Sequence, residues 1–233
     1  MFINFVAVEN PWGKTAERVF SHLNDCHEDG SECHLILTGG RDGSRVTREL
    51  VHLISKWKEN RPIHFWWADE RFVPKDHLDR NDKIIAELDL NASTKFTPHV
   101  IGEPANGDID VVTRQYGHEI EGIEFCIAVL GLGPDGHVAS NFEECKDSES
   151  DNHSDVIAVR NAPKSPQFRI TMSVQRLMTA KTIVMIASGR DKTEIIAKLK
   201  AKTGNSPAHQ LARTRSIEIF LDFEANNQSK CEA

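Results

Sequence analysis

The sequence lacks the features that mark secreted, membrane-spanning or nucleic-acid-binding proteins. Its 5 cysteines form no Cys-x-x-Cys pair, and the first residues, MFINFVAVEN, lack the charged-then-apolar layout of a signal peptide. No apolar run approaches the ~20 residues that cross a bilayer. No block of basic residues interrupts a chain whose formal net charge is −7. We therefore expect a cytoplasmic protein that binds no membrane and no nucleic acid. We also expect a monomer, although none of these features bears on oligomeric state.

The cysteines also lack the spacing of a structural zinc site. A short repeat, Cys26-His27 followed by Cys33-His34, is the arrangement that most resembles a set of metal ligands. Zinc ligands are normally closer together in the sequence. In addition, His34 begins an apolar run that is typical of a buried strand. We therefore expect no metal site.

Length and composition indicate an ordinary folded protein. The 233 residues are 39% hydrophobic and 27% charged, with 14 glycines and 9 prolines, which excludes collagen-like and wholly disordered chains. At roughly 150 residues per domain, we expect a single domain over residues 1–223 and a disordered tail over residues 224–233. The hydrophilic stretch at 143–155 predicts an exposed loop.

Short apolar runs alternate with helical periodicity along the chain. Apolar residues at three- and four-residue steps predict helices over 12–23, 46–57 and 191–200. Apolar runs predict strands at 34–38, 63–68, 125–131, 156–159, 182–188 and 216–223. This alternation predicts an α/β fold with a doubly wound, mostly parallel sheet and helices on both faces. Ligands bind such sheets beyond the carboxyl ends of the strands, so the loops there form the candidate site.

A glycine-rich loop follows the strand at 34–38. Gly39 and Gly40, with Gly43 and Ser44 opening the next helix, can turn backbone N–H groups toward an anion at the positive end of the helix dipole. A Gly-Gly pair between a strand and a helix is also common as a simple tight connection. The loop does not match the pattern G-x-x-x-x-G-K-[ST], so we expect no ATP or GTP chemistry.

The loop GLGPDGH, which ends the strand at 125–131, carries a candidate proton-transfer group. Its glycines satisfy G-x-G-x-x-G, but Pro134 and the polar stretch after Ala139 leave no long helix to receive a dinucleotide, so we expect no NAD. Asp135 and His137 lie on glycine-flanked backbone, which lets the imidazole project into a cleft. Histidine suits proton transfer near neutral pH.

Two cations follow other strands of the predicted sheet. Arg71 belongs to the charged triplet DER, and Lys192 stands four residues after Ser188. Taken singly, each is compatible with an ordinary solvated surface charge. Because both follow strands at the same sheet edge as the glycine loop and His137, together they predict a phosphorylated substrate and acid–base chemistry.

These loops resemble those of the glucosamine-6-phosphate isomerase/6-phosphogluconolactonase family. The resemblance covers nearly the whole chain and rests on LTGGRDGS at 37–44, WWADERFVPKDHLDRND at 66–82, GLGPDGHVAS at 131–140, RITMS at 169–173 and SGRDK at 188–192. It implies a Rossmann-like fold, no metal or organic cofactor, and a hydrolase of the oxidative pentose phosphate pathway. The implied reaction converts 6-phospho-D-glucono-1,5-lactone to 6-phosphogluconate.

The resemblance also implies roles for individual residues. The 6-phosphate would be held by Gly39, Gly40, Arg71 and Lys192, the catalytic base would be His137, and a further anion or hydroxyl contact would be Arg169. Many family members have Ser or Thr after the glycine pair, where this chain has Arg41 and Asp42. Backbone amides, Arg41 or Ser44 would take over that hydroxyl contact. Asp135 would either orient the imidazole or pair with a cation.

Two other functions fit parts of the sequence. An amino-sugar phosphate deaminase or isomerase shares the glycine loop and the DGH loop. Its family pattern has Glu five residues beyond the loop histidine, where Phe142 stands here with Glu143 one residue late, and an aromatic residue in place of Arg71. A non-catalytic sugar-phosphate-binding regulator would ordinarily carry a DNA-binding domain, for which the sequence has no suitable basic segment. The sequence favours the lactone hydrolase.

Overall fold

The computed structural model describes residues 2–27, 32–58, 62–143 and 154–227. Its strands are β1 (Ile3–Ala7), β2 (Cys33–Leu37), β3 (Ile63–Trp67), β4 (Asp69–Arg71), β5 (Phe96–His99), β6 (Phe125–Gly131), β7 (Val156–Val159), β8 (Arg169–Met172), β9 (Thr182–Ala187) and β10 (Ile217–Leu221). Its α-helices are α1 (Pro11–His27), α2 (Gly40–Ser55), α3 (Ile84–Glu87), α4 (Ile109–Glu119), α5 (Val174–Met178), α6 (Thr193–Ala201) and α7 (Pro207–Thr214). Within these ranges, no helix combines the length and apolar character needed to cross a membrane.

Seven strands form one parallel sheet in the order β1-β10-β9-β6-β2-β3-β5. Every residue of β2 is buried, as are all but the last of β6 and all but the first of β9. Because successive side chains of a strand point to opposite faces, these central strands are covered on both sides. Helices α1 and α2 pack against each other and over β6 and β9. The predicted α/β fold with a mostly parallel sheet is confirmed.

Three strands form a second, antiparallel sheet in the order β4-β8-β7. The strand predicted at 156–159 is confirmed as β7, but it belongs to this small antiparallel sheet and not to the parallel one. Residues 69–71 were expected in a loop and instead form β4. An apolar run indicates burial without showing which strand it pairs with, and a charged strand of three residues has no apolar pattern.

Both ends of the described chain add packing that the sequence analysis missed. Strand β1 pairs along the outer edge of β10. The expectation of disorder is wrong for residues 224–227, because residues 223–227 form turns and Ala225 is fully buried. Asp222 accepts hydrogen bonds from the backbone N–H groups of Gly189 and Ala225, at 3.0 and 2.8 Å. Residues 144–153 of the expected exposed loop, residues 228–233 of the tail and the side chain of His27 lie outside the described residues.

The order of the strands creates a crevice beside β2. From β2 the chain adds β3 and then β5 on one side, whereas β6 lies on the other side of β2. The loops that leave the carboxyl ends of β2 and β6 therefore diverge. Open α/β sheets bind ligands at such a switch in direction. The two loops are the glycine loop and the DGH loop singled out from the sequence.

Helix α2 begins very close to the strand that precedes it. Gly43, in the first turn of α2, is buried, and a Cβ atom on it would lie 2.1 Å from the carbonyl oxygen of Thr38. No larger residue fits there unless the helix moves. This close approach therefore fixes the direction in which the N-terminus of α2 points.

We expect Gly43→Ala to destabilise the protein by about 1–3 kcal/mol, because the added methyl group overlaps the backbone of Thr38. Gly117→Ala in α4 is the matched control, since its Cβ atom would lie 4.0 Å from the nearest atom beyond its own stretch of helix, Val156 Cγ2. Alanine there should stabilise the helix by about 0.5–1 kcal/mol. Urea unfolding measures both effects. Equal stabilities for the two variants would show that the contact with Thr38 does not position α2.

Candidate active site

A cavity of about 410 Å³ lies where the segments following β2, β3, β6 and β9 meet. This volume suits a small metabolite. Seven of the nine residues singled out from the sequence line it: Gly39, Gly40, Arg41, Arg71, His137, Arg169 and Lys192. Ser44 and Asp135 are not among the lining residues. Ser44 is half-buried in α2, and Asp135 is exposed and contacts His137 instead.

The glycine pair leaves the start of α2 open to the cavity. Gly40 has a φ of +73°, and a Cβ atom on it would meet nothing within 4 Å. Gly39 has a different constraint, since a Cβ atom there would lie 1.9 Å from Asn81 Oδ1. The first N–H groups of a helix have no partner within the helix, and the helix dipole places partial positive charge there. The pair therefore offers an anion-binding end to the cavity.

Cationic side chains outnumber carboxylates around the cavity. The lining cations are Arg41, Arg71, Lys164, Arg169 and Lys192, and the lining carboxylates are Asp42, Asp69 and Asp191. The buried Nε atom of Arg71 has no hydrogen-bond partner among the described residues. Lys192 Nζ lies 3.0 Å from Asp191 Oδ2. An excess of positive charge in a chain of net charge −7 favours an anionic ligand.

Two of the arginines connect the loops around the cavity. Arg41 Nη2 donates to the carbonyl oxygen and to the hydroxyl of Ser188, at 2.9 and 3.0 Å. Arg169 donates from Nε to the Pro166 carbonyl and from Nη2 to the Lys164 carbonyl, both at 3.0 Å. These bonds engage much of both guanidinium groups. The direct contacts with a ligand anion predicted for Arg41 and Arg169 stay predictions.

His137 is held so that one ring nitrogen is free to exchange protons with the cavity. Its Nδ1 atom lies 2.5 Å from Asp135 Oδ1, and its ring packs 4.7 Å from the ring of Phe142. A Cβ atom on Gly133 would lie 2.1 Å from Nδ1, so only glycine at 133 permits this ring position. Because Asp135 engages Nδ1, Nε2 is the nitrogen that can take or give a proton.

The surroundings favour the neutral form of His137. Burial lowers the pKa of His137 below its ordinary value of 6.5, although Asp135 acts in the opposite direction. Burial would raise the pKa of Asp135, but the charge and hydrogen bonds of His137 outweigh it and hold that pKa below its usual value of 3.8. At neutral pH the pair is therefore a neutral imidazole beside a carboxylate, the state of a general base.

Strand β4 places alternate side chains on different sides. Asp69 and Arg71 line the cavity, whereas Glu70 between them is almost fully buried. Asp69 Oδ2 accepts a hydrogen bond of 2.5 Å from Ser140 Oγ, which ties the segment after the DGH loop to β4. Sequence reasoning found Arg71 and missed Asp69. A strand places every second side chain on the same face, so a strand over residues 69–71 would have predicted Asp69 beside Arg71.

Glu70 anchors the segment that follows β4. Its carboxylate accepts backbone N–H groups of Arg71, Asn81 and Asp82 at 2.7, 2.8 and 2.9 Å, and lies 3.7 Å from Arg80 Nη2. Burial raises the pKa of Glu70 to about 7, although Arg80 and the N–H donors favour the ionised form. This network presents Asn81 to Gly39 and Arg71 to the cavity. Nothing in the sequence pattern indicated it.

The chain is similar to known proteins along most of its length. The model of the family described as glucosamine-6-phosphate isomerases/6-phosphogluconolactonase matches residues 10–220. The 6-phosphogluconolactonase of Mycobacterium leprae is 26% identical over 232 residues, which cover 91% of this chain and 92% of that protein. The 6-phosphogluconolactonase of Thermotoga maritima is 29% identical over 187 residues, which cover 77% of this chain and 82% of that protein.

Solved structures share the fold. The crystal structure of 6-phosphogluconolactonase from Thermotoga maritima superposes with a TM-score of 0.78 at 23% identity and covers 94% of this chain and 99% of that chain. A monomeric glucosamine-6-phosphate deaminase superposes with a TM-score of 0.74 at 19% identity, covering 98% and 100%. At these identities the likeness shows the fold alone. The residues of the cavity must therefore distinguish the two activities.

We expect the imidazole of His137 to titrate below pH 6.5, and to titrate lower still in Asp135→Asn, because the carboxylate that favours the charged ring is gone. NMR signals of the ring, followed against pH, measure both values. Asp110→Asn, which removes an exposed carboxylate on α4, is the control. A pKa of His137 above 6.5, or a rise in Asp135→Asn, would contradict the geometry described above.

Proposed function

Because the chain belongs to the family of glucosamine-6-phosphate isomerases and 6-phosphogluconolactonases, we propose that it hydrolyses 6-phospho-D-glucono-1,5-lactone to 6-phosphogluconate. The observation that carries this proposal is an imidazole, held at Nδ1 by Asp135, in a cavity rich in cations. We also propose that the enzyme is a monomer. We place it in the cytoplasm, on the second step of the oxidative pentose phosphate pathway.

The phosphate of the substrate would occupy the glycine end of the cavity. There the first N–H groups of α2, beginning with Gly40, meet the side chains of Arg71 and Lys192. Charge-assisted hydrogen bonds of this kind are stronger than neutral ones. Binding the phosphate away from the reacting carbon supplies energy that orients the lactone ring.

Hydrolysis would proceed from the other end, at His137. Nε2 takes a proton from water, and the oxygen of that water attacks the lactone carbonyl at C1. The tetrahedral intermediate then collapses, the bond between C1 and the ring oxygen breaks, and the imidazolium returns its proton to that oxygen. Asp135 orients the ring and stabilises the imidazolium in between. A lactone carbonyl is already electrophilic, so this reaction requires no metal or organic cofactor.

The cavity favours the hydrolase over the sugar-phosphate deaminase. The deaminase pattern requires a carboxylate five residues beyond the loop histidine, and Phe142 stands there against the ring of His137. Glu143, the next residue, is exposed and does not line the cavity. The cavity therefore lacks the acidic group that, in the deaminase pattern, moves a proton between sugar carbons.

We expect His137→Asn to lower turnover on freshly prepared phosphogluconolactone by about 10²- to 10⁴-fold, the usual contribution of general acid–base catalysis. Asparagine keeps a polar side chain but cannot take the proton. The assay follows loss of lactone and subtracts the spontaneous rate at each pH. His118→Asn, at an exposed position of α4, is the control and should keep wild-type turnover. Near-wild-type turnover of His137→Asn would move the catalytic role to another residue.

We expect Arg71→Ala and Lys192→Ala each to lower kcat/KM by about 10- to 100-fold on the phosphorylated lactone, since a charge-assisted contact contributes roughly 1.5–3 kcal/mol. Unphosphorylated gluconolactone should be a far poorer substrate for the wild type, and its rate should change little in the variants. Lys198→Ala, at an exposed position of α6, is the control. Equal kcat/KM for the two lactones would refute the phosphate site.

A further inference from the structure

Three cysteines meet at the edge of the sheet opposite the cavity. Cys33 begins β2 and Cys126 is the second residue of β6, whereas the cavity lies beyond the other ends of these strands. Cys26 reaches them from the last turn of α1. The three Sγ atoms all lie within 4.8 Å of one another, and all three residues are thiols. We call these three residues the thiol cluster.

A bulge between the two strands contributes to the cluster. His34 of β2 pairs with Phe125 of β6, but the next residue, Leu35, pairs with Ile127, so Cys126 is the extra residue on β6. Bulges redirect a side chain that a regular ladder would place elsewhere. The Sγ atom of Cys126 lies within 4.8 Å of the Sγ atoms of Cys33 and Cys26. The bulge thus lies at Cys126, the residue that brings a thiol of β6 close to the thiol of Cys33 on β2.

We propose that the thiol cluster is a structural metal site, in which three thiolates bind one soft, zinc-like divalent ion. Zinc–sulfur bonds of about 2.3 Å with tetrahedral angles place sulfur atoms about 3.8 Å apart. The thiols therefore need to approach one another by at most about 1 Å. Cys26 is only half-buried, so the ion has a route in and water can fill the fourth position. The protons of the thiols leave to solvent on binding.

The three sulfur atoms determine which ion the thiol cluster would bind. Metal ions bind cysteine as the thiolate. Soft thiolate ligands select zinc and copper(I) over magnesium and calcium.

A neighbouring set of ligand-type side chains, Glu32, His34 and His64, is a poorer site. Trp66 Nε1 donates to His34 Nδ1 at 3.0 Å, and an indole N–H can only donate. The proton of neutral His34 therefore resides on Nε2, the nitrogen that lies 3.5 Å from Glu32. A protonated nitrogen cannot bind a metal ion. The hydrogen bonds around His34 thus make the thiol cluster the better of the two sets of ligands.

The test uses the full chain with Cys145→Ser and Cys231→Ser, so that the thiol cluster supplies the only thiols. The reduced, metal-free protein is titrated with Co²⁺, whose visible and thiolate charge-transfer absorption reports tetrahedral sulfur coordination, and then with Zn²⁺, which displaces it. We expect one Co²⁺ per chain with thiolate bands, and a higher unfolding temperature with Zn²⁺. Absence of thiolate bands would overturn the proposal and leave the cysteines as ordinary core packing.

Single substitutions in the same background locate the ligands. Cys26→Ala, at the most accessible of the three positions, should weaken Zn²⁺ binding by at least about 100-fold, since even residues behind metal ligands contribute 10- to 100-fold. Circular dichroism confirms that this variant is folded. His64→Ala is the matched control and should bind Zn²⁺ like its parent. Loss of binding in His64→Ala with retention in Cys26→Ala would overturn the proposal in favour of the histidine set.

Discussion

The buried carboxylate of Glu70 is the constraint on which the cavity depends. A buried carboxylate is costly unless it is paired and hydrogen-bonded. Here it is satisfied by backbone N–H groups on both sides of a loop and by Arg80, which is itself buried and paired with Asp82. These bonds hold both ends of the segment from 69 to 82 in place at the carboxyl end of β3. The segment therefore forms a fixed wall of the cavity.

Several features of the cavity follow from that fixed wall. Asn81 Nδ2 donates to the Asp69 carbonyl at 2.8 Å, and Asn81 fills the space where a side chain on Gly39 would stand. Asp69 in turn accepts the hydroxyl of Ser140, just beyond the DGH loop. The network connects the anion-binding end with the segment that carries His137. In the proposed reaction, proton transfer at His137 and phosphate binding at the glycine end would thus be held at a fixed separation, as a reaction at one end of a sugar phosphate requires.

The parts of this protein that could be predicted from the sequence are those that obey simple periodicities. Central parallel strands are apolar throughout, so β2, β6 and β9 were evident, and their carboxyl ends must share one edge. The strands that were not predicted are short, charged or at an edge of the sheet. Strand β4 consists of three charged residues, and the edge strand β5 contains Pro98. The contact between Asp135 and His137, left open by the sequence, required the loop conformation. The meeting of Cys126 with Cys26 and Cys33 depends on strand order, which no local spacing encodes.

The most direct test of this account is a crystal structure of the protein with 6-phosphogluconate, the product of the proposed reaction. We predict that the phosphate lies against the N–H groups at Gly39 and Gly40 and the side chains of Arg71 and Lys192. The carboxylate at C1 should lie within hydrogen-bonding distance of His137 Nε2. A product bound in the reverse orientation, or outside this cavity, would contradict the assignment of its two ends.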